Sequence, residues 1–256
     1  MKYTFALLGA AALAAALPQP AQEVDIAGRF ARRNGARSAR PQHISAPNMR
    51  NTSYPQYSSN WAGSVQIGKG FTKVVGTITV PSVSGDSDSA ASAWVGIDGD
   101  TCSTAILQTG VSFYGDGTFD AWYEWIPDYS HSFSNFDISV GDKIYMEVDA
   151  SSKTKGVAIL ENLTTGQKVT HTFTSTPSTL CETNAEWIVE DFESGGSLVP
   201  FADFGSVTFT GASATGSAGT VTPQGGTIID IRDSSSSQVL TDCSTSGGSL
   251  TCKYTG

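Results

Sequence analysis

The chain has 256 residues, with 15 basic and 24 acidic side chains, three histidines and a net charge of −9 at pH 7. That length holds one large all-β domain or two small ones. Its acidic balance disfavours nucleic acid as a partner, and no apolar run beyond the N-terminus reaches membrane-spanning length. The N-terminus, MKYTFALLGAAALAAALPQPAQ, sets one Lys before an apolar run that ends near Leu17. It reads as a secretory signal peptide over residues 1–18, the alternative being a buried N-terminal helix.

Residues 19–54 differ in kind. Arg29, Arg32, Arg33, Arg37, Arg40 and Arg50 stand against only Glu23 and Asp25, so 19–50 carries +4. From residue 51 onward, 8 basic side chains meet 22 acidic ones, or −14. Such asymmetry describes a basic arm on an acidic body, either a removable propeptide or a disordered tail. The mature domain is expected over 55–256, with the cut between Asn51 and Ser58, and the product is expected to be secreted and extracellular.

From Tyr57 the composition is that of an all-β protein, with Gly, Ser and Thr between short runs of Val, Ile, Thr and aromatics. SVQIG, KVVGTITV, SAWVGI, AILQTGV, FDAWYEWI, KIYMEVDA, GVAILEN, KVTHTFT, EWIVEDF, SVTFTG, TIIDIRD and LTCKYT are the strand candidates, and TTGQ (164–167) reads as a hairpin turn. No segment sustains helical periodicity. So many short strands must stack or close, which predicts an antiparallel two-sheet β-sandwich.

Four cysteines behind a signal peptide favour disulfides. Three connectivities are possible. Cys243 and Cys252 flank the turn-rich STSGGSLT, which suits a local hairpin staple and leaves Cys102 with Cys181. No paired Cys-x-x-Cys spacing supports zinc. Asn51 and Asn162 begin N-x-S/T sequons.

Gln108 lies in an apolar run, AILQTG, and Glu190 in another, WIVEDF. Burying an unpaired amide or an ionised carboxylate costs kilocalories. Either neighbours satisfy these groups or they do chemistry. Around them, SSNWAGSVQ (58–66), AWVGIDGDTC (93–102), AILQTG (105–110), YGDGTFDAWYEWIP (114–127), ENLTTGQKV (161–169) and TNAEWIVEDFE (183–193) resemble, in order and spacing, the fungal glutamic peptidases, the eqolisin family. The resemblance runs from about Ser58 to the C-terminus. It implies a jelly-roll or concanavalin-like sandwich with a substrate groove on a curved sheet, and a catalytic dyad of Gln108 and Glu190. It also implies polypeptide substrates and poor inhibition by pepstatin; with no metal motif in the chain, no metal or cofactor is expected. The family's further bridge after the catalytic glutamate has no counterpart in ESGGSLVPF, which implies a shorter or more mobile loop there.

In that chemistry Glu190 is the base that activates water and then the acid for the leaving amine. The Gln108 amide stabilises the tetrahedral oxyanion. A carboxylate of ordinary pKa stays ionised into moderately acidic solution, so acid activity is consistent. Strand alternation puts Glu186, Ile188, Glu190 and Phe192 on one face and Trp187, Val189 and Asp191 on the other, Asp120, Trp122 and Glu124 on one face, and Trp94, Gly96 and Asp98 on one face. With the resemblance, Trp61, Trp94, Asp98, Asp120 and Glu124 become candidate groove or support residues; the plain alternative is core tryptophans with sheet-edge acids.

Other chemistries have little support. There is no G-x-S-x-G elbow and no H-E-x-x-H motif. His43 lies in the arm, His131 in a loop and His171 in a strand candidate, filling core or facing solvent. SGDSDS and DGD lack EF-hand spacing. A secreted sandwich with acidic and aromatic walls also suits a glycoside hydrolase, with Glu124 and Glu190 about 5–9 Å apart, or a lectin without turnover. A monomer is expected, with its own propeptide as inhibitor or folding aid.

The charge division makes a prediction. Arginines keep their charge in acid while carboxylates titrate near pH 4, so acidification weakens the arm–body attraction from the body's side. A synthetic 19–50 peptide should inhibit the mature enzyme more tightly at pH 6 than at pH 3.5, and salt should weaken it. Equal inhibition at both pH values, or indifference to salt, contradicts an electrostatic hold of the arm on the body.

Overall fold

The structure is a computed structural model, and it describes residues 55–256. The expected signal peptide, basic arm, His43 and Asn51 sequon lie outside the described residues. Among the described residues there is no helix, and none long and apolar enough to cross a membrane.

The strands, in chain order, begin with β1 (Gln56–Ser58), β2 (Trp61–Ile67), β3 (Lys73–Thr79), β4 (Ala90–Ile97), β5 (Ile106–Tyr114), β6 (Phe119–Ile126) and β7 (His131–Ser132). A meander follows, β8 (Lys143–Ser152), β9 (Lys155–Asn162) and β10 (Lys168–Phe173), and then β11 (Asn184–Glu190). The rest are β12 (Glu193–Ser194), β13 (Ser197–Leu198), β14 (Ser206–Gly216), β15 (Gly219–Val221), β16 (Thr227–Ile231), β17 (Thr241–Ser246) and β18 (Ser249–Tyr254). One sheet runs β1-β16-β2-β11-β4-β5-β6-β7. The other runs β10-β9-β8-β3-β14-β18-β17, with β15 beside β14.

Each of the twelve strand candidates falls on a strand, several overrunning its end by one or two residues, as EWIVEDF and TIIDIRD do past Glu190 and Ile231, and the two-sheet sandwich stands. One correction applies to the antiparallel expectation: β1 pairs with β16 in parallel. β1 is three residues long and its partner β16 lies far along the chain, so no connecting turn sets their relative direction.

The core follows from alternation. On the first sheet Val95, Ile97, Leu107, Val111, Phe113, Trp125, Trp187 and Val189 point inward. They meet Val74, Ile78, Ile144, Met146, Val148, Leu160, Val207 and Phe209 from the second. Trp187 also donates its indole N–H to the carbonyl of Val75, 2.8 Å away, so its one polar atom is satisfied between the sheets.

Both disulfides form as read, and no cysteine is free. Cys243 and Cys252 are direct cross-strand partners on β17 and β18, with Cα atoms 4.1 Å apart. Cys102–Cys181 closes a loop of 79 residues and joins the β4–β5 turn to the approach to β11. Each such link stabilises by about 2–4 kcal/mol, chiefly by restricting the unfolded chain.

Three local findings refine the sequence reading. The cysteine-free loop after Glu190 is a small β12–β13 hairpin turning at Gly195 and Gly196, whose φ of 66° and 88° suit glycine. Asn162 is buried: its amide N–H groups reach the Asp137 carbonyl and Asp142, and its oxygen accepts from Thr164 and Thr165. That leaves this sequon's nitrogen engaged rather than open to a glycan. His131 lies not in a loop but in the short strand β7, paired with Tyr123 of β6, and it and His171, from opposite sheets, both stack on Tyr123, at 5.5 and 3.9 Å between centroids.

Two buried acids set a pH dependence. Asp230 on β16 is raised to about 6 by burial, against the opposing donors Thr241 and Cys243. Asp191 is raised to about 8 by burial and then by the charge of Glu190. In the unfolded chain both ionise near 4. The folded state therefore holds more protons above that pH, and stability falls as pH rises through the folded values. The melting temperature should be highest in acid and decline from about pH 4 towards pH 8, and Asp191→Asn should flatten the decline above pH 6. A melting temperature that rises across that range contradicts the assignment.

Candidate active site

β4 lies between β11 and β5, and the register sorts one face of the sheet into three rows. Glu186, Gly96, Gln108 and Glu124 are successive cross-strand partners. The next row is Ile188, Trp94, Gly110 and Trp122, with Ser132 of β7 beyond. The third is Trp61, Glu190, Ser92, Ser112 and Asp120. Residues two apart along a strand share a face, so all three rows look the same way, opposite to the sandwich core.

Apolar side chains make the floor. Trp61, Val65, Trp94, Ile106, Trp122, Ile126, Ile188 and Ile229 form a cluster separate from the main core. Trp61 and Trp94 meet edge to face, with centroids 4.9 Å apart. Gly96 makes room for this: a Cβ there would sit 2.8 Å from the Trp94 ring and 3.3 Å from Gln108 Cβ.

Into that floor are set the polar groups. Gln108, Glu124, Glu186 and Glu190 are all fully buried. The Trp94 indole N–H donates to Glu190 Oε2 at 3.0 Å. Gln108 Nε2 donates to Glu124 Oε2 at 2.5 Å. Glu186 accepts no hydrogen bond at either oxygen. Burial raises its pKa well above the carboxylate range, and the charges of Asp98 and Asp100 add to that.

The candidates named from sequence therefore divide. Trp61, Trp94, Glu124, Gln108 and Glu190 share the face. Asp120 lies at its far end, where it accepts a hydrogen bond from Ser132 at 3.0 Å. Asp98 does not follow the alternation from Trp94, because β4 has ended and its φ is 70°. Its carboxylate accepts from the backbone N–H groups of Glu182, Thr183 and Asn184 at 2.7–3.2 Å. Asp98 thus holds the approach to β11 rather than a substrate. It also lies near Cys102 and Cys181, but the disulfide leaves no thiolate there for a metal. Glu186, not among those candidates, stands in the first row of the face, opposite Gly96. The four-residue spacing in AEWIVE was the available signal for Glu186, since it puts Glu186 and Glu190 on one face.

Comparison with known proteins gives this site its context. The profile of the Peptidase A4 family matches residues 59–254. Aspergillopepsin-2 of Aspergillus niger is 51% identical in sequence, with 99% of this chain and all of that protein covered. Scytalidopepsin B of Scytalidium lignicola is 50% identical, covering 88% and 90%. A solved scytalido-glutamic peptidase bound to a transition state analog inhibitor superposes with a TM-score of 0.74 at 51% identity, over 77% of this chain and 98% of that one. Aspergilloglutamic peptidase from Aspergillus niger gives 0.62 at 60% identity, over 65% and 99%. The described domain, its sandwich and its acid-lined sheet face are those of a chain that belongs to the Peptidase A4 family, the eqolisins.

Proposed function

We propose that the protein is a secreted acid endopeptidase whose catalytic pair is Gln108 and Glu190. Membership of its family makes it a peptide-bond hydrolase. The observation that carries the pair is their placement: an amide and a carboxylate on one apolar sheet face, each gripped by a dedicated neighbour.

The spacing suits a bound substrate. Gln108 stands opposite Gly96, and Glu190 opposite Ser92, four residues along β4. In a flat sheet that is about 10 Å across and about 13 Å along. The diagonal is about 16 Å, and side chains reaching roughly 5 Å each leave a gap on the order of 6 Å. A tetrahedral carbon carrying two oxygens, hydrogen-bonded on both sides, needs about 8 Å.

In the reaction, Glu190 takes a proton from water as the water oxygen bonds to the carbonyl carbon. The carbonyl oxygen becomes an oxyanion and accepts from Gln108 Nε2–H. Glu190 then returns its proton to the leaving nitrogen as the C–N bond breaks. The Trp94 indole N–H fixes the carboxylate plane of Glu190. The tryptophan floor offers apolar contact to peptide side chains. A glycoside hydrolase is not favoured, because the relatives are named peptidases and Glu124 is engaged with Gln108. The proposal includes a signal peptide over 1–18 and a basic propeptide over 19–54 that restrains a monomeric enzyme until acid releases it.

Gln108→Ala should lower kcat/KM on casein-derived peptides in acid by about 10²–10³, the scale of one lost oxyanion donor. Glu190→Gln should lose more, since it removes base and acid together. Both variants should stay folded by thermal melting. Near-wild-type hydrolysis by either folded variant would refute the pair.

A further inference from the structure

An amide has two unlike ends, and its terminal torsion is roughly two-fold, so a strand alone does not choose which end faces a substrate. Here Gln108 Nε2 donates to Glu124 Oε2 at 2.5 Å, from directly opposite positions on β5 and β6. Both side chains are fully buried, and Gln108 Oε1 accepts no hydrogen bond. We propose that Glu124 is a positioning residue that fixes the orientation of the catalytic amide, holding one Nε2–H so that the other and Oε1 face the reacting centre. This rests on the reading of Gln108 as half of the pair and gives Glu124 a role other than substrate contact.

The physical argument is one of sign. With Glu124 ionised, its bond to Nε2–H is charge-assisted, about twice as strong as a neutral one. A flipped amide would put Oε1 against the carboxylate, replacing attraction by repulsion. The chosen orientation also serves both halves of hydrolysis. One free N–H meets the developing oxyanion, and Oε1 can accept from the attacking water, which Glu190 deprotonates. A protonated Glu124 would offer both an O–H donor and a C=O acceptor, so either amide orientation would be satisfied and the preference would be lost. Among the described residues, the titratable groups in the rows of this face are Glu186 across Gly96, Asp120 further along β6 and Glu190 two rows away, with no Lys, Arg or His in those rows.

The test is a double-mutant cycle in kcat and KM, with Glu124→Gln, the apolar isostere Glu124→Met, Gln108→Ala and both combinations. A glutamine partner accepts either amide orientation, so Glu124→Gln should lower kcat about two- to threefold. Glu124→Met leaves the amide unheld and should cost roughly tenfold or more. KM should change little in either, and the acid limb of the kcat profile should shift in Glu124→Gln. In the Gln108→Ala background neither change should lower kcat further. Should Glu124→Met destabilise the fold, Glu124→Gln carries the same comparison. A raised KM with unchanged kcat would make Glu124 a substrate contact and overturn the proposal. Equal losses with and without Gln108 would overturn it as well, since Glu124 would then act alone. A fully active Gln108→Ala would instead remove the dyad reading on which the proposal stands.

Discussion

Everything functional in this molecule depends on the cost of removing polar groups from water. A carboxylate or amide on a buried sheet face must be paired, neutralised or used. This face holds all three cases. Glu190 is held by the Trp94 indole N–H and Gln108 by Glu124. Glu186, with no donor at either oxygen, is driven towards its neutral form. A carboxylate with a donor beside it and one with none stand on the same face, which is how environment assigns different roles to like groups.

The sandwich serves that arrangement. Its main core fills one side of the sheet, and a second apolar cluster built on Trp61, Trp94 and Trp122 fills the other. Because cross-strand partners share a face, a register fixed by core packing also fixes which polar residues meet. A one-residue slip of β11 would send Glu190 into the core and Trp187 onto the acid-lined face. The Cys102–Cys181 bridge and the Asp98 carboxylate anchor the approach to β11, so they guard the register from outside the site. The same buried acids tie stability to low pH, where an acid peptidase works.

Much of this was legible in the chain. Strong alternation exposed the long strands, and two polar residues in apolar runs drew attention to Gln108 and Glu190. What was not legible has physical reasons. The strands β7, β12, β13 and β15 have two or three residues, and β17, TDCSTS, is nearly all polar, so neither leaves a hydrophobic period. Asp98 sits where a strand ends and its backbone turns to φ 70°, which defeats alternation. That Glu124 would meet Gln108 required the β5–β6 register, which sequence bounds but does not state. Aromatic stacking of His131 and His171 on Tyr123 joins two sheets and left no local trace.

The central claim is that Gln108 and Glu190 together hold the tetrahedral centre of peptide hydrolysis. The most direct measurement is a crystal structure of the mature enzyme with a non-cleavable peptide carrying a tetrahedral mimic at the scissile position. The account predicts one oxygen of that centre within hydrogen-bond distance of Gln108 Nε2 and the other on the Glu190 carboxylate, each at about 2.7–3.0 Å. A centre bound out of reach of either side chain, or attached covalently to the protein, would contradict it.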